Sequence, residues 1–234
     1  MARTPDHHTA AGHPLARLLG LLMLVLMAHP LAAQADLAPP ESVLEAASVE
    51  MLDLLDAKRD QVREEPHQLF VLVESVLGPH VDFDRMSRWV LGKHWRTASP
   101  EQRERFQEVF RLLLVRFYTA ALLEEPGQLD ELLANRDGLI RYEPTRVGDS
   151  DRVNVRSTVT LPNGQEVPVI FAMHSRDGRW KVYDVTVEGI SLVSNYRSSF
   201  SQQIARQGLN ALIEEIDSRN HALLEKTRNG QLSE

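Results

Sequence analysis

The stretch WKVYDVTVEGISLVSNYRSSF, residues 180–200, places Asp184, Glu188, Ser191, Tyr196 and Arg197 within fourteen positions, where an apolar run gives way to polar residues. A carboxylate, hydroxyls and a fixed cation so close together are the parts of a proton-transfer site, in which a buried Asp works with a His or Tyr beside an apolar substrate. The same residues also suit a structural corner. Carboxylates and hydroxyls at a strand-to-helix junction accept hydrogen bonds from the orphan amides of the first helical turn and complement its dipole. Ser191 and Ser194 stand where such caps belong, with Arg197 pairing one of the acids. The catalytic reading needs a partner for Asp184 that only the fold could bring, from His174 or Tyr118. Ion-pair networks are often structural, so the corner is the expectation.

Other chemistry is poorly supported. Beyond residue 35 the histidines are His67, His80, His94, His174 and His221, dispersed and without an H-x-H or H-E-x-x-H spacing, so no metal site is expected. Phosphate-cradling glycine patterns and the nucleophile elbow are absent. The chain has no cysteine, which excludes disulfides, thiol catalysis and thiolate metal sites. No cofactor is expected, and the chain reads as something other than an enzyme.

The first 35 residues have the layout of an export signal. Arg17 precedes the apolar run Leu18 to Met27, which is too short for a permanent span, and Ala33-x-Ala35 offers a small-residue cleavage site. The expected cut after Ala35 leaves a soluble chain, 36–234, long enough for a single domain with a real core. Removing Arg3, Arg17 and Asp6 from 26 basic and 33 acidic side chains leaves 24 and 32, a net charge of −8 with histidines neutral. Such an acidic chain is a poor partner for nucleic acid, and it lacks a polybasic run for anionic lipid heads.

The elements that would position any site change character near residue 135. Leu44, Ala47, Met51, Leu52 and Leu55 recur at helical spacing in one helix ending near Pro66, and a short apolar helix follows from His67 to Leu77. In VDFDRMSRWVLGKHW, Asp82 is a candidate N-cap and Gly92 a candidate stop. Ser99, Pro100 and Gln102 agree on a capping box opening a helix through Leu123. Phe106, Phe110, Leu113 and Phe117 form one stripe of it, while Leu114, Val115, Tyr118, Ala121 and Leu122 make other faces apolar. A helix apolar on several sides must be covered on several sides.

From Leu139 the period becomes two. LIRYEPTRV, RVNVRSTVTL, EVPVIFAMHS and WKVYDVTV are separated by turn signals at Gly148-Asp149, Asn163-Gly164 and Asp177-Gly178, which predicts an antiparallel meander. After Gly189 the helical period returns. The expected fold is α+β, helices wrapped on a curved four-stranded antiparallel sheet, cone-like and NTF2-like, with an apolar cavity between the layers. Strand parity and the apolar helix nominate a lining: Phe117 and Tyr118; Val153, Val155 and Val159; Val169 and Phe171; Tyr183 and Val185.

VDFDRMSRWVLGKHWRTASPEQRERFQEVFRLLLVRFYTAAL resembles the N-terminal block of the MlaC family, the periplasmic phospholipid-binding component of the Mla lipid-transport system, also called the toluene-tolerance auxiliary family. WKVYDVTVEGISLVSNYRSSFSQQIARQGLNALI is similar to its closing block. The resemblance implies a monomeric carrier that holds a glycerophospholipid by its acyl chains and leaves the head group at the pocket mouth. It implies two partners, an outer-membrane lipoprotein associated with porins and an inner-membrane ABC transporter carrying an MCE-domain protein. Two other readings stand beside it: a small enzyme acting on an apolar substrate in the same cavity, and a lipid-free adaptor with a filled core.

Overall fold

Eight α-helices, one 3-10 turn at Gly78–His80 and five strands are built by the described residues, which in this computed structural model are 37–121, 123, 127–161 and 163–229. The export signal and the cut after Ala35 lie outside them. Helices α1 (Pro40–Ala57), α2 (Arg59–Glu64), α3 (Gln68–Leu77), α4 (Phe83–Leu91), α5 (Lys93–Thr97), α6 (Pro100–Ala121) and α7 (Gln128–Ala134) come first. Strands β1 (Ile140–Tyr142), β2 (Arg152–Thr160), β3 (Glu166–Arg176), β4 (Arg179–Val187) and β5 (Ile190–Ser191) follow, and α8 (Leu192–Arg228) closes the chain.

Local chemistry sets the helix starts. The Asp82 carboxylate accepts from the Arg85 amide at 2.9 Å, capping α4. At α6 both bonds of the capping box form: Ser99 Oγ accepts from the Gln102 amide at 3.2 Å, and Gln102 Oε1 accepts from the Ser99 amide at 2.9 Å. Gly92 ends α4 with φ of 54°, a conformation open to glycine at little cost. The single helix expected up to Pro66 is instead two, α1 and α2, because Lys58 leaves helical geometry at φ −109° and ψ 16°. Helix α8 is likewise broken at Gly208, whose φ is 87°.

Phe106 and Phe110 of α6 are fully buried against Met86 and Val90 of α4 and against Val193, Phe200 and Leu212 of α8. Phe110 meets Tyr196 edge-on at 5.3 Å between centroids, and Phe106 meets Phe200 at 6.0 Å, the geometry aromatic quadrupoles favour. A second cluster closes α1 on the sheet, Leu44 packing with Val155, Met173, Trp180 and Val182.

The sheet is an antiparallel meander in the order β1-β2-β3-β4-β5. The four predicted strands are present, and β5 makes a fifth, which corrects the expected count. It arises because Glu188 and Gly189 both adopt positive φ, 49° and 83°, and Val187 pairs with Ile190 across a two-residue turn. Glutamate is not a usual residue for that conformation, so the sequence carries no clear turn signal there. Strand β1 is also shorter than predicted, three residues rather than nine, and Pro144 lies just beyond it.

One irregularity governs the faces. Phe171 of β3 pairs with Val155 of β2 and Val185 of β4, and Ala172 pairs with Asp184, yet Met173 pairs with Val182. Tyr183 is therefore an extra residue, a β-bulge, and the alternation of β4 reverses across it.

Candidate functional site

Between the helices and the inner sheet face lies an apolar cleft of about 370 Å³. Helix α1 supplies Leu44, Ala47 and Ser48, α3 supplies Val73 and Leu77, and the entry to α4 supplies Val81, Phe83 and Met86. Leu114, Val115 and Tyr118 come from α6, Ile140, Tyr142, Phe171, Val182 and Val185 from the sheet, and Leu192 from the start of α8. The described lining contains no carboxylate, lysine or arginine. Its polar side chains are His80, Ser48, Tyr118 and Tyr142, and Ser48 Oγ and Tyr142 Oη share a hydrogen bond of 2.7 Å. Burial pushes the Tyr142 and Tyr118 phenols up from their ordinary values, so both rings are neutral at ordinary pH.

Of the residues nominated from sequence, Tyr118, Phe171 and Val185 line this cleft. Val153 and Val155 share the inner face but pack into the cluster around Leu44 and Met173, with Val155 fully buried. Val159 and Val169 lie on the same face by register, opposite Val167 and Val187. Phe117 is 54% exposed and stacks edge-on with Tyr118. Tyr183 sits on the bulge, its ring 4.9 Å from Trp89 and 5.8 Å from His174, outside the cleft lining. Leu44, Val182 and the entry residues Val81 and Phe83 went unnominated. Leu44 is legible in the helical spacing of α1, whereas the inward position of Val182 depends on the bulge.

The junction of β4, β5 and α8 forms a hydrogen-bonded corner. Asp184 Oδ2 accepts from Ser191 Oγ at 2.6 Å, and Oδ1 accepts from the amides of Val193 at 3.0 Å and Val185 at 2.9 Å. Ser191 Oγ in turn accepts from the Ser194 amide at 3.1 Å and caps α8. Arg197, expected to pair an acid, donates instead to the backbone carbonyl of Trp89. His174 does not reach Asp184, because its Nε2 is bonded to Asp82 at 2.7 Å. Every donor on the Asp184 carboxylate is thus a structural group of the junction.

Among the described residues no group of three histidine, cysteine or acidic side chains could hold a metal ion, and no helix is long and apolar enough to cross a membrane.

The layering and the cleft together define an α+β protein with an apolar space between its helices and an antiparallel sheet. The model of the family described as MlaC protein matches residues 45–218, and the chain belongs to that family. It is 34% identical over 197 residues to the toluene tolerance protein ttg2D of Pseudomonas putida, covering 84% of this chain and 86% of that protein. It is 24% identical over 178 residues to the intermembrane phospholipid transport system binding protein MlaC of Haemophilus influenzae, covering 74% and 78%. A solved structure with a similar fold is the phospholipid-binding protein of Ralstonia solanacearum in complex with a phospholipid. It has a TM-score of 0.67 and 30% identity, with 80% of this chain and 99% of that one covered.

Proposed function

We propose that this protein is a non-enzymatic phospholipid carrier, exported to the periplasm, which holds acyl chains in the cleft between α1, α3, α4, α6 and the sheet. The observation that carries the reading is the lining itself, predominantly apolar, with His80, Ser48, Tyr118 and Tyr142 as its polar side chains and no carboxylate, lysine or arginine among its described residues. Its family and the Ralstonia relative bound to a phospholipid support the same cargo. Lipid-binding residues on this reading are Tyr118, Phe171 and Val185, with Phe117, Val153, Val155, Val159, Val169 and Tyr183 as the further residues nominated from sequence. The helices and sheet then make a cone-like, NTF2-like housing around the cargo.

Energetics explain why such a protein is needed. Burying a methylene is worth about 0.8 kcal/mol, so two chains with about thirty methylenes would cost on the order of 20 kcal/mol to draw bare into water. A carrier needs neither nucleotide nor catalytic base, only a dry space that a docked partner can empty. Residues 1–35 would direct export and be removed after Ala35, leaving a monomeric chain 36–234. It would pass lipid between an outer-membrane lipoprotein–porin complex and an inner-membrane MCE-domain ABC transporter, maintaining outer-membrane lipid asymmetry.

The test is organic extraction of the purified protein followed by mass spectrometry. Stoichiometric phospholipid is the expected result. A lipid-free protein that also fails to take lipid from vesicles would overturn the reading.

A further inference from the structure

A second, polar cleft of about 410 Å³ lies beyond the segment that enters α4, and it shares no lining residue with the apolar one. Val81 and Phe83 line the apolar cleft, whereas Asp82, between them, lines the polar one. We propose that this polar cleft is a separate binding site for a doubly charged oxyanion of the phosphate-monoester class, held by Arg85 and Arg176. The inference does not rest on the lipid reading.

The charge pairing inside the cleft points to an anion. Asp84 accepts from Gln107 at 2.5 Å and pairs with Arg88 at 3.3 Å. Asp82 is engaged by His174 and by the Arg85 amide. Asp151, at the rim, stands 3.8 Å from Arg152. Each carboxylate of the cleft therefore has a partner. Arg85 has no acidic partner among the described residues. Its guanidinium lies over the Tyr183 ring at 5.5 Å, and its Nη1 is buried without an acceptor, a costly state for a charged donor. Arg176 has only loose neighbours, Asp177 at 3.6 Å and the already engaged Asp82 at 3.7 Å.

Two under-partnered guanidiniums thus approach one space from different elements, the first turn of α4 and the end of β3. Guanidinium groups present rigid forks of donors that match phosphate oxygens, and a tetrahedral anion has enough acceptors to engage two of them at once. A carboxylate carries one negative charge and two oxygens, fewer than a phosphate monoester presents to two guanidiniums. His174, almost fully buried, supplies part of the lining behind them and reports on occupancy.

The experiment titrates the whole mature protein with inorganic phosphate and follows the Nε–Hε signals of Arg85 and Arg176 and the ring signals of His174 by NMR. Saturable shifts confined to the cleft are expected, and Arg85→Met should weaken binding about tenfold or more, the loss of a charge-assisted hydrogen bond. Arg176→Met, at a mostly exposed side chain, should weaken it similarly and keeps the test usable if Arg85→Met does not fold. Arg141→Met, on β1, should leave binding unchanged. The proposal is overturned if no shift saturates, if Arg141→Met weakens binding as much as the cleft variants do, or if acetate binds as tightly as phosphate.

Discussion

His174 and Asp82, 92 positions apart in the chain, are joined by a 2.7 Å hydrogen bond with both side chains about 95% or more buried. The bond ties the end of β3 to the residue that also caps α4 and whose amide donates to the Val182 carbonyl at 2.8 Å. A single carboxylate thereby fixes the segment whose flanking residues, Val81 and Phe83, form one wall of the apolar cleft.

Removing that carboxylate should be costly at neutral pH. Asp82→Ala leaves His174 buried without its partner and α4 without its cap, and a drop of about 3 to 5 kcal/mol in urea unfolding is expected. Retention of wild-type stability would show that the pair holds nothing in place.

The same group sets an acid limit. Burial alone would push the Asp82 carboxyl up, but the Arg85 amide, the bond and charge of His174 and the charge of Arg176 outweigh it and hold the carboxyl below its ordinary value. The folded state therefore binds this proton less readily than the unfolded chain does. The resulting stabilisation is complete above the unfolded value, near pH 4, and disappears as pH falls through the lower folded value. Asp82→Asn should flatten the loss of stability below about pH 4, as read from urea midpoints across pH.

Two valines of the inner sheet face, on β4 and β2 with β3 between them, should respond differently to charge. Val185 lines the cleft and is only partly buried, so Val185→Lys should remove copurifying lipid while the protein remains folded. Val155 is fully buried among Leu44, Met173 and Trp180, so Val155→Asp should lower stability by several kcal/mol, because a buried charge there has no partner. Circular dichroism melts with lipid extraction separate the two effects. Full lipid occupancy in folded Val185→Lys would remove the cleft from the cargo path.

The corner at the start of α8 offers a graded comparison. Asp184→Ala frees three donors, those of Ser191, Val193 and Val185, and about 1 to 3 kcal/mol of stability should go with them. Arg197 is exposed and donates to one carbonyl, so Arg197→Met should cost about 1 kcal/mol or less. Lipid loss should track unfolding in both. An Asp184→Ala protein of wild-type stability that had lost turnover of an apolar substrate would make the corner an active site.

What the sequence made legible was local. Ser99 and Gln102 announce the start of α6, Asp82 the start of α4, and Asp177-Gly178 the β3–β4 turn, because each signal acts within four residues. The break at Lys58, the turn at Glu188-Gly189 and the bulge at Tyr183 have no comparable signature, and WKVYDVTV alternates without a visible fault. Parity therefore placed Tyr183 with Val185, when Val182 is the residue that joins it. The Asp82–His174 pair was beyond reach for a different reason, since only the packing of α4 on β4 brings residues so distant in sequence together.

The bulge lets β4 carry one residue more than β3 across the same span. Its extra position lets one strand keep Trp180, Val182 and Val185 on the inner face while Tyr183 packs against Trp89 and His174. Deleting Tyr183 would close the bulge and keep Val182 and Trp180 on the inner face, whereas straightening the strand at its full length would turn Lys181 inward and Val182 and Trp180 outward. Along this segment of the chain, the side a residue faces is therefore set by where the bulge falls and not by whether its position is odd or even.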